Sequence, residues 1–251
     1  MLVAAAVCPH PPLIVPEFAG SAASELDPLR TACASAVRSL VRSEPDQIVV
    51  LGGAAESASF PGDAAGTLRP WGLDVHVGPG EPVLPLSLTI GRWLLDRGAL
   101  PELVTTVRFE AIAFDASSEE CEALGRRISH AGGRVAVLAM GDGSARLTEK
   151  SPGYLHPAAA RYDAMLADAL GNARTSRLAA LDRVEAEELW AAGRAVFQVL
   201  AAAAEREEGG LRGELLYQDA PYGVGYFVAR WCAGETRPAG ESRSVGESRP
   251  A

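Results

Sequence analysis

The run Arg134 to Met140 (RVAVLAM), followed at once by Gly141-Asp142-Gly143-Ser144, constrains this chain more than any other stretch. A short apolar run rich in valine and closed by turn residues reads as a buried strand. A Gly-Asp-Gly-Ser turn at the carboxyl end of such a strand is where parallel α/β proteins place their sites. The rest of the chain supplies the matching parts. Leu2 to Val7 is strand-like, and Glu25 to Arg42 carries Leu26, Leu29, Cys33, Val37 and Leu40 at helical spacing. Gln47 to Leu51 is a second buried run, ending in Gly52-Gly53, which predicts a strand followed by a turn. Leu73 to Val77 is a further strand candidate, and Leu84 to Arg97 predicts a helix that stops at Gly98. Leu103 to Phe109 and Ala111 to Phe114 are two strand candidates. A helix from about Ser118 to Ala131 follows, capped by Ser117 or Ser118.

Beyond the GDGS turn the pattern is mostly helical: Pro157 to Leu170, Ser176 to Leu181, and an alanine-rich stretch from Val184 to Glu207. Two strand-like runs close the chain, Gly213 to Tyr217 and Gly223 to Arg230. Alternating strands and helices imply a three-layer α/β/α domain. The late strands add a partly mixed edge to its sheet. The domain is expected over residues 1–233. Three imperfect hexads fill residues 234–251 (GETRPA, GESRSV, GESRPA), with almost nothing to bury, and predict a flexible low-complexity tail.

Composition narrows the function classes. The net charge of −9 argues against a nucleic-acid partner, which needs clustered basic residues. No window approaches the roughly 20 apolar residues of a membrane span. The opening MLVAAAVCPHPP lacks a basic segment and a small-residue cleavage site, so it is expected to be a first strand rather than a signal peptide. Cys8, Cys33, Cys121 and Cys232 show no C-x-x-C spacing, which points away from zinc and from a disulfide framework. A cytoplasmic protein with reduced thiols is the expectation.

Three loops follow strands that belong together: Pro9 to Glu17, Gly52 to Phe60 and Gly141 to Tyr154. His10 sits among Pro9, Pro11 and Pro12, so its backbone is held and its ring can be aimed. A rigid histidine there suits a metal ligand or general base, and equally a structural loop residue. Glu56, Asp142 and Ser144 would join it if the loops converge, and a His/Glu/Asp set suits Mn, Mg or Fe. Gly52, Gly53, Gly141 and Gly143 could offer backbone N–H groups to an anion. His76, His130 and His156 read as structural or exposed, His156 at a helix entry. GDGSA is not the G-x-S-x-G elbow, so Ser144 lacks the frame of a hydrolase nucleophile.

PHPPLIVPE near the start, GDGSARLTEKSPGY in mid-chain and YQDAPYGVGYFVARW (Tyr217 to Trp231) near the end resemble, in order, segments of the LigB-like family. These are the catalytic B subunits of class III extradiol ring-cleavage dioxygenases and their Memo-like relatives. The resemblance implies Fe(II) held by two histidines and a carboxylate, with a further histidine as acid/base. His10 matches the first ligand. The second histidine position holds Ala54, the mid-chain histidine position holds Ala145, and a fourth falls at about Gly80. The late carboxylate position falls at Trp190, beside Glu187 and Glu188. Alanine has neither a lone pair nor a titratable proton. The expectation is therefore a divergent family member that has lost ring cleavage and needs no cofactor. It would bind a small-molecule ligand or a protein partner. Two alternatives stand beside it: a metalloenzyme rebuilt around His10, Glu56 and Asp142, and a non-catalytic subunit of a larger complex. A homo-oligomer is left open.

Overall fold

The computed structural model describes residues 1–98, 106–205 and 210–233. The predicted tail therefore lies outside the described residues, as do the start of the Leu103 strand candidate and the last two residues of the alanine-rich stretch. No helix among the described residues is long and apolar enough to cross a membrane.

The strands are β1 (Leu2–Cys8), β2 (Gln47–Ala54), β3 (Ala58–Phe60), β4 (Gly66–Thr67), β5 (His76–Val77), β6 (Thr106–Ala113), β7 (Val135–Met140), β8 (Leu211–Asp219) and β9 (Tyr226–Ala233). The helices are α1 (Pro16–Ala19), α2 (Asp27–Arg42), α3 (Leu86–Arg97), α4 (Ser118–Ser129), α5 (Ala159–Gly171), α6 (Thr175–Ala179), α7 (Arg183–Glu188) and α8 (Arg194–Ala204). Seven strands form one sheet in the order β3-β6-β2-β7-β1-β9-β8, and β4 pairs with β5 apart from it. The four central strands run parallel, while β3 at one side and β9 and β8 at the other run antiparallel. This is the three-layer fold with a mixed sheet. Helices α2 and α3 cover one face, where Cys33, Val37, Leu40, Leu88 and Leu95 are buried against Ala4, Ala6, Val50 and Leu138. Helices α4 to α8 cover the other, where Phe197, Val199 and Leu200 are buried with Val49, Leu51 and Val137. Strands β1 and β7 are buried along their whole length, as parallel strands covered on both faces must be.

Ser117 caps α4 with a reciprocal capping box through Glu120, and Gly98 closes α3. Four expectations are corrected. Gly52-Gly53 is not a turn but the last part of β2, because α3 packs there so closely that a Cβ on Gly52 would lie 2.3 Å from the Ser87 hydroxyl oxygen. The two candidates on either side of Glu110 are one strand, β6, since both pair in register with β2. Leu73 to Val77 yields only the two-residue β5. The alanine-rich stretch is two helices, α7 and α8, with Leu189 to Gly193 between them. That segment is drawn against the loop after β7, where Gly193 donates its N–H to the Asp142 carbonyl at 2.9 Å.

Candidate functional site

Because β2, β7 and β1 are adjacent and parallel, the loops leaving their carboxyl ends emerge side by side. The GDGS loop is the centre of the group. Gly141 N–H donates to the Cys8 carbonyl at 3.0 Å, tying the loop to β1. Gly143 N–H donates to the Gly225 carbonyl at 2.8 Å, and Gly225 N–H returns to Ser144 at 2.9 Å, tying it to the β8–β9 turn. Ala145 N–H donates to the Leu189 carbonyl at 3.1 Å, tying it to the α7–α8 linker. The three family-like segments thus meet at one place.

His10 and Asp142 are brought together there. The His10 backbone N–H donates to Asp142 Oδ1 at 2.9 Å, and His10 Nδ1 stands 3.6 Å from the same oxygen. The residue is 7% exposed and its Nδ1 has no hydrogen-bond partner among the described residues. That separation is too long for a hydrogen bond. Asp142 therefore holds the histidine loop by its backbone, not the imidazole by its ring.

Ser144 is elsewhere. It is fully buried, its hydroxyl donates to the Leu189 carbonyl at 3.0 Å, and it accepts the Arg146 N–H at 3.1 Å. Its own N–H donates to Asp163 Oδ1 at 2.9 Å. Every polar group of Ser144 is spent on fixing the loop, so it is corrected from a cleft residue to a structural one. The glycines are corrected likewise. Gly52 and Gly53 are strand residues packed on Ser87 and Phe114, and a Cβ on Gly141 would meet the Phe197 ring at 2.8 Å. Their small size serves close packing, and they form no amide cradle. Glu56 is exposed beyond β2. Among the described residues no group of three His, Cys, Asp or Glu side chains could hold a metal ion, so Glu56 does not complete a set with His10 and Asp142.

The GDGS loop rests on a buried carboxyl. Asp163 of α5 is 5% exposed; Oδ1 accepts the Ser144 N–H while Oδ2 has no partner. Burial pushes its pKa up to about 7, against the pull of the Ser144 N–H. Neighbouring Tyr162 also has an unpartnered buried hydroxyl, and burial, helped by the Asp163 charge, pushes it well up.

Beside the loop, a cleft of about 250 Å³ opens between the end of β6 and the α7–α8 linker. Phe114 and Trp190 line it at 47% and 56% exposure, together with Ala191, Ala192, Arg183, Glu187 and Arg194. Trp190 has φ +54°, the left-handed region. It closes α7 in a Schellman arrangement, in which Trp190 N–H donates to the Glu187 carbonyl and Ala191 N–H to that of Ala186, at 3.1 and 2.8 Å. Glycine is usual at that place, and a tryptophan there costs roughly 1–2 kcal/mol of backbone strain. Arg194 is 2% exposed and donates to the carbonyls of Ala116 and Phe114, each at 2.6 Å, and to Gln198 Oε1 at 2.9 Å.

No family model matches the chain, and no curated protein does. Among solved structures it is similar to an uncharacterized protein, JW3007, of Escherichia coli K12. The identity is 14% and the TM-score 0.56, over 92% of this chain and 99% of that one. At that identity the likeness speaks to the fold alone.

The donor set can be weighed against the iron that the resemblance implies. Two histidines and a carboxylate facing one point are needed. Here His10 and Asp142 are in contact, but Ala54 is a buried aliphatic residue, Ala145 offers only backbone, and Trp190 turns an indole toward solvent. The residues present do not fit a facial triad.

Sequence reasoning misses Phe114, Arg194 and Asp163, and reaches Trp190 only through the family resemblance. Two signals were there. Arg194 is a lone charge opening an otherwise apolar helix, and Asp163 sits on the same helical face as Tyr162 and Leu166.

Proposed function

We propose that this chain is a LigB-like protein that binds a small molecule at the carboxyl edge of its sheet and does not cleave rings with Fe(II). It would work in the cytoplasm with its four thiols reduced. The observation that carries the reading is the pairing of a donor-poor His10–Asp142 contact with an aromatic cleft at the α7–α8 linker, which Gly193 ties to the Asp142 carbonyl. Alanine at 54 and 145 and tryptophan at 190 remove lone pairs where the family resemblance calls for them. Trp190 and Phe114 put apolar surface beside that place instead. Such a site favours desolvation of a ligand body over coordination of a metal.

Oxygen uptake tests the reading. The protein is incubated anaerobically with Fe(II), then mixed with a panel of catechols in air. The expected rate equals that of Fe(II) alone, for both the wild type and His10→Ala. Uptake that exceeds the background and disappears in His10→Ala overturns it in favour of a rebuilt metalloenzyme.

A further inference from the structure

We propose that Asp163 is a proton-controlled latch: protonated, it holds the GDGS loop against α5 and the β8–β9 turn, and ionised, it lets the loop open. The inference goes beyond the binding reading and holds whatever the cleft takes up.

The latch is one carboxyl group among neighbours that cannot carry its charge. Asp163 is 5% exposed; Oδ1 accepts the Ser144 N–H at 2.9 Å, and Oδ2 has no partner. The space around it is cut to the size of the group. A Cβ on Gly143 would lie 2.9 Å from Oδ1, and one on Gly225 would collide with Oδ2. Phe227, 1% exposed, closes the space with its ring edge against both glycines. Among the described residues no ion pair reaches Asp163. The groups that face it are neutral: Gly143 and Ser144 from the loop, Gly225 from the turn and Phe227 from β9. On α5 itself the neighbour is Tyr162, whose hydroxyl burial keeps protonated far above neutral pH. The charges of Arg194, Glu185 and Asp182 bear on Tyr162 but not on the Asp163 carboxyl.

A carboxylate with one N–H donor and no counter-charge is costly to ionise in place and stable once water reaches it. Burial accordingly raises the pKa of the latched group to about 7. In an open loop the same group is solvated and returns to the roughly 4 of an ordinary aspartate. Below about pH 4 both forms hold the proton, and opening is independent of pH. Between about pH 4 and 7 opening releases a proton, so the open population rises by up to about tenfold per pH unit. Above about 7 both forms are ionised and the rise ends.

What the latch holds is the frame of the site. Ser144 N–H joins the loop to α5, and Gly143 and Gly225 join it to the β8–β9 turn. At the head of the loop, the Asp142 carbonyl accepts the Gly193 N–H and its Oδ1 the His10 N–H. Release of Asp163 therefore loosens the piece of chain that positions both the His10 loop and the α7–α8 linker. Local openings of this kind are separate from global unfolding and are read amide by amide.

Hydrogen exchange of the full chain, followed by NMR from about pH 5 to 8 and corrected for the intrinsic pH dependence of exchange, tests this. The Ser144 and Gly225 N–H groups report the latch, and the Val137 N–H in buried strand β7 reports global unfolding. The opening constants of Ser144 and Gly225 are expected to exceed that of Val137, to rise by about tenfold or more from pH 5 to 7, and to flatten above 7. In Asp163→Asn, which keeps the shape without the charge, they should stay level. If that variant fails to fold, the wild-type profile and a carbon-13 titration of the Asp163 carboxyl still decide, with a midpoint of about 7 expected. Loop amides that exchange only at the Val137 rate, opening constants that ignore pH, or a pH response that survives in Asp163→Asn overturns the proposal. A carboxyl midpoint of about 4 does the same.

Discussion

At the scale of single residues, the chemistry of the edge turns on groups whose polar capacity is already used and groups whose capacity is not. Ser144 belongs to the first kind. Ser144→Ala should cost about 1–2 kcal/mol in denaturant unfolding, because the buried Leu189 carbonyl loses a donor and the half-buried Arg146 N–H its acceptor. It should leave ligand affinity unchanged; a loss of affinity with normal stability would return Ser144 to the cleft. Asp163 belongs to the second kind. Its folded pKa of about 7 lies above the roughly 4 of an unfolded aspartate. Below pH 4 both states hold the proton, and the stabilising term is fully present. As pH rises from about 4 to 7 the unfolded state releases its proton first, so this residue's contribution to stability falls and then levels off above 7. The fall is on the order of 2–4 kcal/mol. Asp163→Asn should flatten that slope between pH 4 and 7 in urea unfolding, while an unchanged slope would show that the carboxyl ionises freely in the folded state. Trp190→Gly should leave stability unchanged or raise it by up to about 1 kcal/mol.

At the scale of elements, most of the fold was legible, and the misreadings have common causes. Strands β1 and β7 and helix α3 follow from apolar runs and their stop signals, and the Ser117 cap from its Glu120 partner. The glycines of β2 misled because glycine punctuates turns in local sequence, whereas here it admits α3. That contact is 34 residues away along the chain, from Ser87 Oγ to the Gly53 carbonyl at 2.8 Å, and no local pattern encodes it. Gly52→Ala should accordingly destabilise by about 1–3 kcal/mol through overpacking against Ser87. A mutant as stable as the wild type would mean that α3 yields easily. The break between α7 and α8 was hidden by helix-forming alanines, since it is made by the left-handed turn at Trp190 and by the ties of Leu189 and Gly193 to the β7 loop. The convergence of His10 and Asp142 was legible from strand-end logic. The cleft was not, because the turn after β6 meets α7, the α7–α8 linker and the start of α8 there, and no local pattern connects residues 114–115 with 183–194.

At the scale of the whole molecule, the order β2-β7-β1 is what makes a site at all, since it gathers three loops on one edge of a parallel core. The antiparallel β8–β9 pair extends that core, and its turn braces the GDGS loop through Gly223 and Gly225. In a scaffold of this kind loop packing and metal ligation rest on different side chains, so the one does not imply the other. The loop contacts of Asp142, Ser144 and Gly225 are intact here, while the positions that the resemblance gives to metal ligands carry Ala54 and Trp190. Anaerobic equilibrium dialysis against Fe(II), followed by metal analysis of the protein, tests that claim most directly. Far less than one iron per chain is expected at micromolar Fe(II), with no change in His10→Ala. One iron per chain, lost in His10→Ala, would contradict it.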